Sequence, residues 1–231
     1  MTNGFRFQLG TPDQECRYPV SLDGHHIGRI YRWHGAWYAI PAGHADEIRV
    51  AAGSAGKELS AGYLVAMYDL RQITPQDQNE DQAPAPRESV GPVPLLHPRM
   101  PATPRNVEAA HKAMAGLAEY LWTPLGGYPG ADNPWFLRCQ LCEWQGPRYW
   151  SHLRGRNGNP PSTFRHPGCL DAEKVRARIP AYQAEEVEPI LAKAKAAGIE
   201  LALGDFDWHD GTPTLDGMAP DEWLEAMTEQ N

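Results

Sequence analysis

Lysine is scarce in this chain, apolar runs are short, and cysteine is confined to four positions. Only Lys57, Lys112, Lys174, Lys193 and Lys195 occur among 231 residues, while arginine, alanine, glycine and proline abound. That bias is what a GC-rich coding sequence produces, and it carries no function by itself. No apolar stretch approaches the roughly 18 residues of a membrane span, which argues against a membrane-embedded protein. The N-terminal MTNGFRFQLG is polar and broken by glycine, unlike a targeting peptide, so the cytoplasm is the expected location. Four cysteines without a secretory signal are too few for a disulfide scaffold. Positive charge is also short overall. The net charge is -8, so no global field draws the chain to nucleic acid. What remains, 42% hydrophobic and 10% aromatic, is the composition of a soluble globular protein of one or two domains.

Three of the four cysteines fall in one stretch, CQLCEWQGPRYWSHLRGRNGNPPSTFRHPGC, from Cys139 to Cys169. It holds a C-x-x-C pair, Cys139 and Cys142, and an H-x-x-C pair, His166 and Cys169. Two closely spaced ligand pairs joined by a long excursion suit one tetrahedral zinc ion, because each pair reaches the metal from a tight turn. A redox dithiol would want a βαβ setting around the C-x-x-C, and none is present. Trp135, Phe136 and Leu137 lead into Cys139 as an apolar strand, and Gln140-Leu141 form the tip of a turn whose N–H groups can face the sulfurs. At the other end, Pro167 suits the first turn of a helix running on through Val175, which would place His166 and Cys169 on one face of that turn. The helix N-terminus would then favour the Cys169 thiolate. His152 is a second candidate ligand. It is disfavoured because it would leave the HPGC turn contributing only Cys169.

A ligand-bearing turn, a β-hairpin and a helix behind the second ligand pair resemble the treble-clef zinc fingers, over about residues 135–178. The chain departs from many of them in having Glu143, not glycine, after the second cysteine. The resemblance implies one structural zinc ion and a nucleic-acid or protein partner.

The rest of the chain reads as α+β. Residues 1–73 form a small β-rich domain with one helix. Asp23-Gly24 and His34-Gly35 are hairpin turns between strands at 17–22, 25–32 and 36–40, a further strand follows near 47–52, and Ser60 is placed to cap a helix over 61–72. Residues 74–103, with seven prolines, read as a linker. A helix from about Pro104 or Asn106 to Trp122 carries Val107, Ala110, Met114, Leu117 and Leu121 at helical spacing, a face for packing on the zinc unit over 104–180. Residues 181–231 form an acidic helical region, with helices over 184–197 and 220–227 and a short strand at 199–203. Histidines 25, 26, 34 and 44 lack a diagnostic metal spacing. Asp205, Asp207, His209 and Asp210 fail the EF-hand pattern, because the sixth position is Asp210 where glycine is needed.

Charge is unevenly spread. Residues 135–170 hold five arginines (Arg138, Arg148, Arg154, Arg156 and Arg165) against Glu143 alone, whereas residues 171–231 hold five basic and fourteen acidic side chains. Arg148, Arg154, Arg156 and Arg165 are therefore candidate phosphate contacts, unless they pair with the protein's own acidic tail. Arg29 and Arg32 with Trp33, Trp37 and Tyr38 make a second candidate nucleic-acid face, though such aromatics more commonly fill a core. No serine–histidine–aspartate set, metal-nuclease pattern or phosphate loop is visible. The expectation is a non-enzymatic zinc-binding module for nucleic acid. A protein–protein adaptor using the acidic region is the alternative, and a zinc-finger hydrolase comes third.

Overall fold

A computed structural model describes residues 6–77, 92–156, 159–209 and 212–229. Its first half is an antiparallel meander, β1(Phe7–Leu9), β2(Tyr18–Leu22), β3(His25–Trp33), β4(Ala36–Pro41) and β5(Ile48–Ala52), followed by α1(Gly56–Asp69). A short β6(Gln76–Asp77) returns to pair with the start of β3. The two hairpin turns form as the dipeptides require. Asp23 and Gly24 take φ of 49° and 82°, and His34 and Gly35 take 47° and 78°. This double left-handed turn matches the twist of the strands, and glycine adopts its second position without strain.

Alternation along β3 looks imperfect in sequence because Ile27 and Ile30 are three residues apart. A register shift against β2 between Val20 and Ser21 resolves this. The bulge adds one residue, so both isoleucines reach the core at 0% exposure. They pack with Val20, Leu22, Trp37, Ala39, Ala61 and Leu64, which makes α1 the cover of one sheet face. The helix starts earlier than Ser60 implies. Gly56 opens it, since a Cβ there would lie 2.2 Å from the Trp37 ring, and Ser60 is buried inside the helix. Packing against Trp37 thus overrides the capping signal.

The second half begins with α2(Pro104–Glu119), capped by the Thr103 hydroxyl, which accepts from the Asn106 N–H at 3.3 Å. The apolar stripe does meet the unit that carries the cysteine-rich stretch. Ala110, Ala113 and Leu117 are fully buried against Trp122, Trp135, Leu137, Trp150 and Leu153. Three strands, β7(Trp122–Pro124), β8(Pro134–Cys139) and β9(Gln145–Tyr149), form the central sheet in that order, and α3(Trp150–Leu153) follows. Trp122 therefore belongs to a strand and not to the end of α2.

Behind the site come α4(Ala172–Arg178) and α5(Pro180–Ala196), then a small hairpin of β10(Asp207–His209) and β11(Thr212–Thr214), and α6(Pro220–Glu229). The strand expected at 199–203 is absent. The strands lie further on, in the acidic segment, where Val187, Phe206 and Leu215 supply a third small core. No helix among the described residues is long and apolar enough to cross a membrane.

The two halves are joined by named contacts. Residues 95–97 exchange backbone hydrogen bonds with Tyr128 at 3.0 Å. The Arg99 guanidinium then crosses to Tyr31 Oη at 2.5 Å and to the Glu47 carboxylate, and its carbon lies 4.2 Å from the Tyr31 ring centre. Trp33 packs on His97 at 4.9 Å. Asn133, 2% exposed, accepts from the His34 N–H at 2.7 Å and donates to the Pro129 carbonyl at 2.7 Å. Replacing Asn133 with Ala leaves both groups unpaired at the junction. We expect a loss of about 1–3 kcal/mol, read as a lower urea midpoint with unchanged metal content.

Candidate metal centre

The site is built from two turns. The first follows β8: the Cys139 N–H donates to Trp144 O at 2.8 Å and the Glu143 N–H to Cys139 O at 2.8 Å, so the chain reverses within five residues. Glu143 takes φ of 59° at this point, the left-handed geometry that glycine fills with less strain. The Leu141 backbone N–H points at the Cys139 sulfur, as the tip of such a turn should.

The second turn holds His166 and Cys169, and here the sequence expectation is corrected. The pair does not lie on the first turn of a helix. Gly168 has φ of 80°, which an α-helix cannot contain, and the Cys169 N–H closes a tight turn onto His166 O at 3.2 Å. The helix waits for Asp171, whose carboxylate caps α4 by accepting from the Lys174 N–H at 3.0 Å. Cys169 precedes the cap of α4 and is not part of the helix. Burial, reinforced by the neighbouring thiols and opposed by the Leu170 N–H, pushes the Cys169 thiol up to about 11.

Together the two turns bring one ligand atom from each of Cys139, Cys142, His166 and Cys169 within 4.8 Å of one another. Cys169 Sγ lies 4.0 Å from both Cys139 Sγ and Cys142 Sγ, and Cys142 Sγ lies 3.1 Å from His166 Nε2. A tetrahedral ion with metal–sulfur bonds of about 2.3 Å requires sulfur–sulfur edges of about 3.8 Å, close to those found. The sulfurs are 4.0 Å apart, unlike a disulfide, whose S–S bond is about 2.05 Å. His166 Nδ1 lies 2.9 Å from the Pro167 carbonyl, which fixes that nitrogen as the N–H donor and leaves Nε2 for a metal. The His166 ring is stacked on Trp144 at 4.3 Å, with 8° between the planes. This Cys3His group can hold a metal ion.

His152 lies apart from the group. It is exposed on α3, with its ring 5.2 Å from Tyr149. Cys16 is buried in the first half and adds no ligand. Among the described residues, the other histidines and the acidic segment form no comparable cluster. Asp205 accepts from the Ala202 N–H at 2.7 Å, and Asp210 lies outside the described residues.

The arginines divide. Arg165, expected to contact phosphate, is 1% exposed and wholly engaged inside the protein. Its Nε donates to Cys139 Sγ at 3.1 Å, Nη1 to Tyr120 O at 2.8 Å and Nη2 to Leu121 O at 2.7 Å, with the guanidinium 4.1 Å from the Trp122 ring centre. It is therefore bound up with the Cys3His group and cannot reach a ligand in solvent. Burial opposes ionisation of Cys139, but the Arg165 hydrogen bond and charge and the Leu141 N–H outweigh it, so the thiol is held below its ordinary range. Arg148 is half-buried and donates to Phe164 O at 2.8 Å. Arg154 and Arg156 are exposed. Arg156 Nη1 reaches the Asp132 carboxylate at 2.6 Å, an exposed pair that solvent screens. In the first half, Trp37 is core and Arg32 turns to Tyr149, so the second candidate face does not form as a unit.

Sequence reasoning missed the role of Arg165 as sulfur partner, although its place directly before His166 was a usable signal. It also missed Trp144, two residues beyond Cys142. Comparison of the chain with known protein-family models, with curated proteins and with solved structures finds no match.

Proposed function

We propose that the protein is a structural-zinc module of treble-clef-like build whose finger loop binds nucleic acid. The observation that carries the reading is the convergence of three sulfurs and one imidazole nitrogen within 4.8 Å. Three thiolates and an imidazole are a borderline-soft donor set that suits zinc and disfavours magnesium or calcium. All four ligands come from the chain, so no coordination position is left for a substrate, as in structural sites. For the nucleic-acid role, the support is electrostatic: Arg154 and Arg156 stand exposed on the run leaving α3, in the most basic part of an acidic chain.

Elemental analysis after dialysis is expected to give about one zinc per chain, and Cys142→Ser or Cys169→Ser should lose it. A folded, metal-free protein with free thiols would end the zinc reading. Replacing Arg154 and Arg156 together should flatten the salt dependence of duplex binding by close to two units of slope. Absence of any retardation at low salt would leave the acidic C-terminal region as the partner surface and make the protein an adaptor.

A further inference from the structure

Arg6, Arg17, Arg99, Arg138 and Arg156 each face a carboxylate within 4.0 Å, whether exposed or half-buried. Arg32 and Arg148 are different. Each is half-buried, and among the described residues each meets only neutral acceptors. Arg32 Nη1 donates to Tyr149 Oη at 2.8 Å, and its guanidinium lies 5.3 Å from the Tyr149 ring centre. Arg148 Nη2 donates to Phe164 O, and its guanidinium lies 5.3 Å from the Phe164 ring centre. The Nε of both is buried without an acceptor. A guanidinium keeps its charge at every physiological pH, and a partly desolvated charge without a counter-charge is costly. No carboxylate among the described residues supplies the counter-charge, which leaves these two guanidiniums open to an anionic ligand.

The surroundings indicate what kind of anion. The Ser162 N–H donates to His152 O at 3.2 Å, which lays the run leading to Phe164 along α3. Phe164 is 58% exposed, a large apolar ring left in solvent. His152 is exposed beside Tyr149. Burial and then the charges of Arg156, Arg148 and Arg32 depress its proton affinity against Asp132, which places these groups in one neighbourhood. The exposed Phe164 and the half-buried Tyr149, which His152 flanks, each lie 5.3 Å from one of these guanidiniums. A duplex presents phosphates but hides the faces of its bases, whereas a single strand offers both.

We propose that Arg32, Arg148, Tyr149, His152 and Phe164 form a single-strand nucleic-acid site across the junction of the N-terminal sheet and the metal unit. Phosphates sit on Arg32 and Arg148, and bases stack on Phe164 and on the His152–Tyr149 pair. The proposal rests on the nucleic-acid reading above and deepens it: the partner is single-stranded, and the N-terminal half takes part through Arg32.

The test uses the full metal-loaded chain, a labelled pyrimidine oligonucleotide, the matching duplex, and heparin as a bare polyanion. The single strand should bind tighter than the duplex. Phe164→Ala should weaken it by about tenfold, within the range of one lost stacking contact. Arg32→Gln should weaken it and lower the salt slope by about 0.7. Metal content should be unchanged in both variants, and Phe164→Ala keeps the test open if Arg32→Gln disturbs the junction. Preference for the duplex, indifference to both variants, or heparin competing equally against wild type and Phe164→Ala would overturn the site. Were the Arg154/Arg156 double variant still to weaken binding in that case, the finger-loop reading alone would stand. Silence toward every nucleic acid at low salt would remove both.

Discussion

Stripping the metal, or replacing His166 with Ala, should unfold residues 135–178 while leaving the N-terminal sheet folded. The ligands sit on two separate turns, and Arg165 and the Trp144 stack are the protein's own ties between them. Cys142 is exposed, Gly168 makes no contact that a Cβ would disturb, and α4 is only seven residues long. Structural zinc contributes roughly 10 kcal/mol or more to small finger domains, far more than such turns gain from packing. The core around Trp122, Leu137 and Cys139 would then open. The sheet core around Val20, Ile30 and Leu64 is separate and should keep its cooperative transition. Two observables follow: loss of metal by elemental analysis, and a change in tryptophan emission because Trp144 no longer stacks on His166. His152→Ala should change neither. A chelator-treated protein with an unaltered tryptophan spectrum and hydrogen-exchange protection across 135–178 would refute the assignment.

Arg165→Leu should be the most damaging substitution outside the ligands. Three thiolates and a neutral imidazole around a divalent ion carry one net negative charge, and the buried guanidinium supplies one positive charge beside Cys139. Removing it strands that charge and takes one donor each from Tyr120 O and Leu121 O, the latter keeping the Gln140 N–H at 3.1 Å. Breaking a buried, hydrogen-bonded charge partnership costs about 3–5 kcal/mol. Metal affinity should fall by about 10–100-fold, the usual cost of losing a hydrogen-bond partner of a ligand. Chelator competition measures the second effect and a denaturant series the first. Arg165→Lys should recover only part of either, because an ammonium cannot hold the fork that reaches the sulfur and two carbonyls together. If Arg165→Leu bound metal as tightly as the wild type, the charge-balance argument would fall.

Much of the architecture was legible in the residues because it rests on local rules. The hairpins at Asp23-Gly24 and His34-Gly35 follow from which residues accept positive φ, and α2 follows from Pro104 and the stripe Val107, Ala110, Met114, Leu117, although the helix stops at Glu119, short of Leu121. The four ligand positions were readable too, since C-x-x-C and H-x-x-C turns are short-range constraints. The helix expected at Pro167 was not, because Pro167 is a permissive signal that Gly168 overrules one residue later. Ser60 failed as a cap for a comparable reason: the helix starts where Gly56 lets Trp37 pack, a contact between distant residues.

The sequence by itself determined the α+β class, the two turns of the metal centre and the excess of arginine around them. Only the tertiary structure decided what each arginine does. Five arginines between 135 and 170 are equivalent in a linear reading, yet Arg165 is drawn into the core by a sulfur and two carbonyls that β7 and β8 bring together. Arg148 is held on Phe164, while Arg154 and Arg156 stay in solvent. The same holds for the junction. Arg99, from a proline-rich stretch, meets Tyr31 and Glu47, residues more than 50 positions away in sequence. Local rules act over a few residues. The fate of a charge depends on which distant acceptors the fold delivers to it, and no spacing in the chain records that.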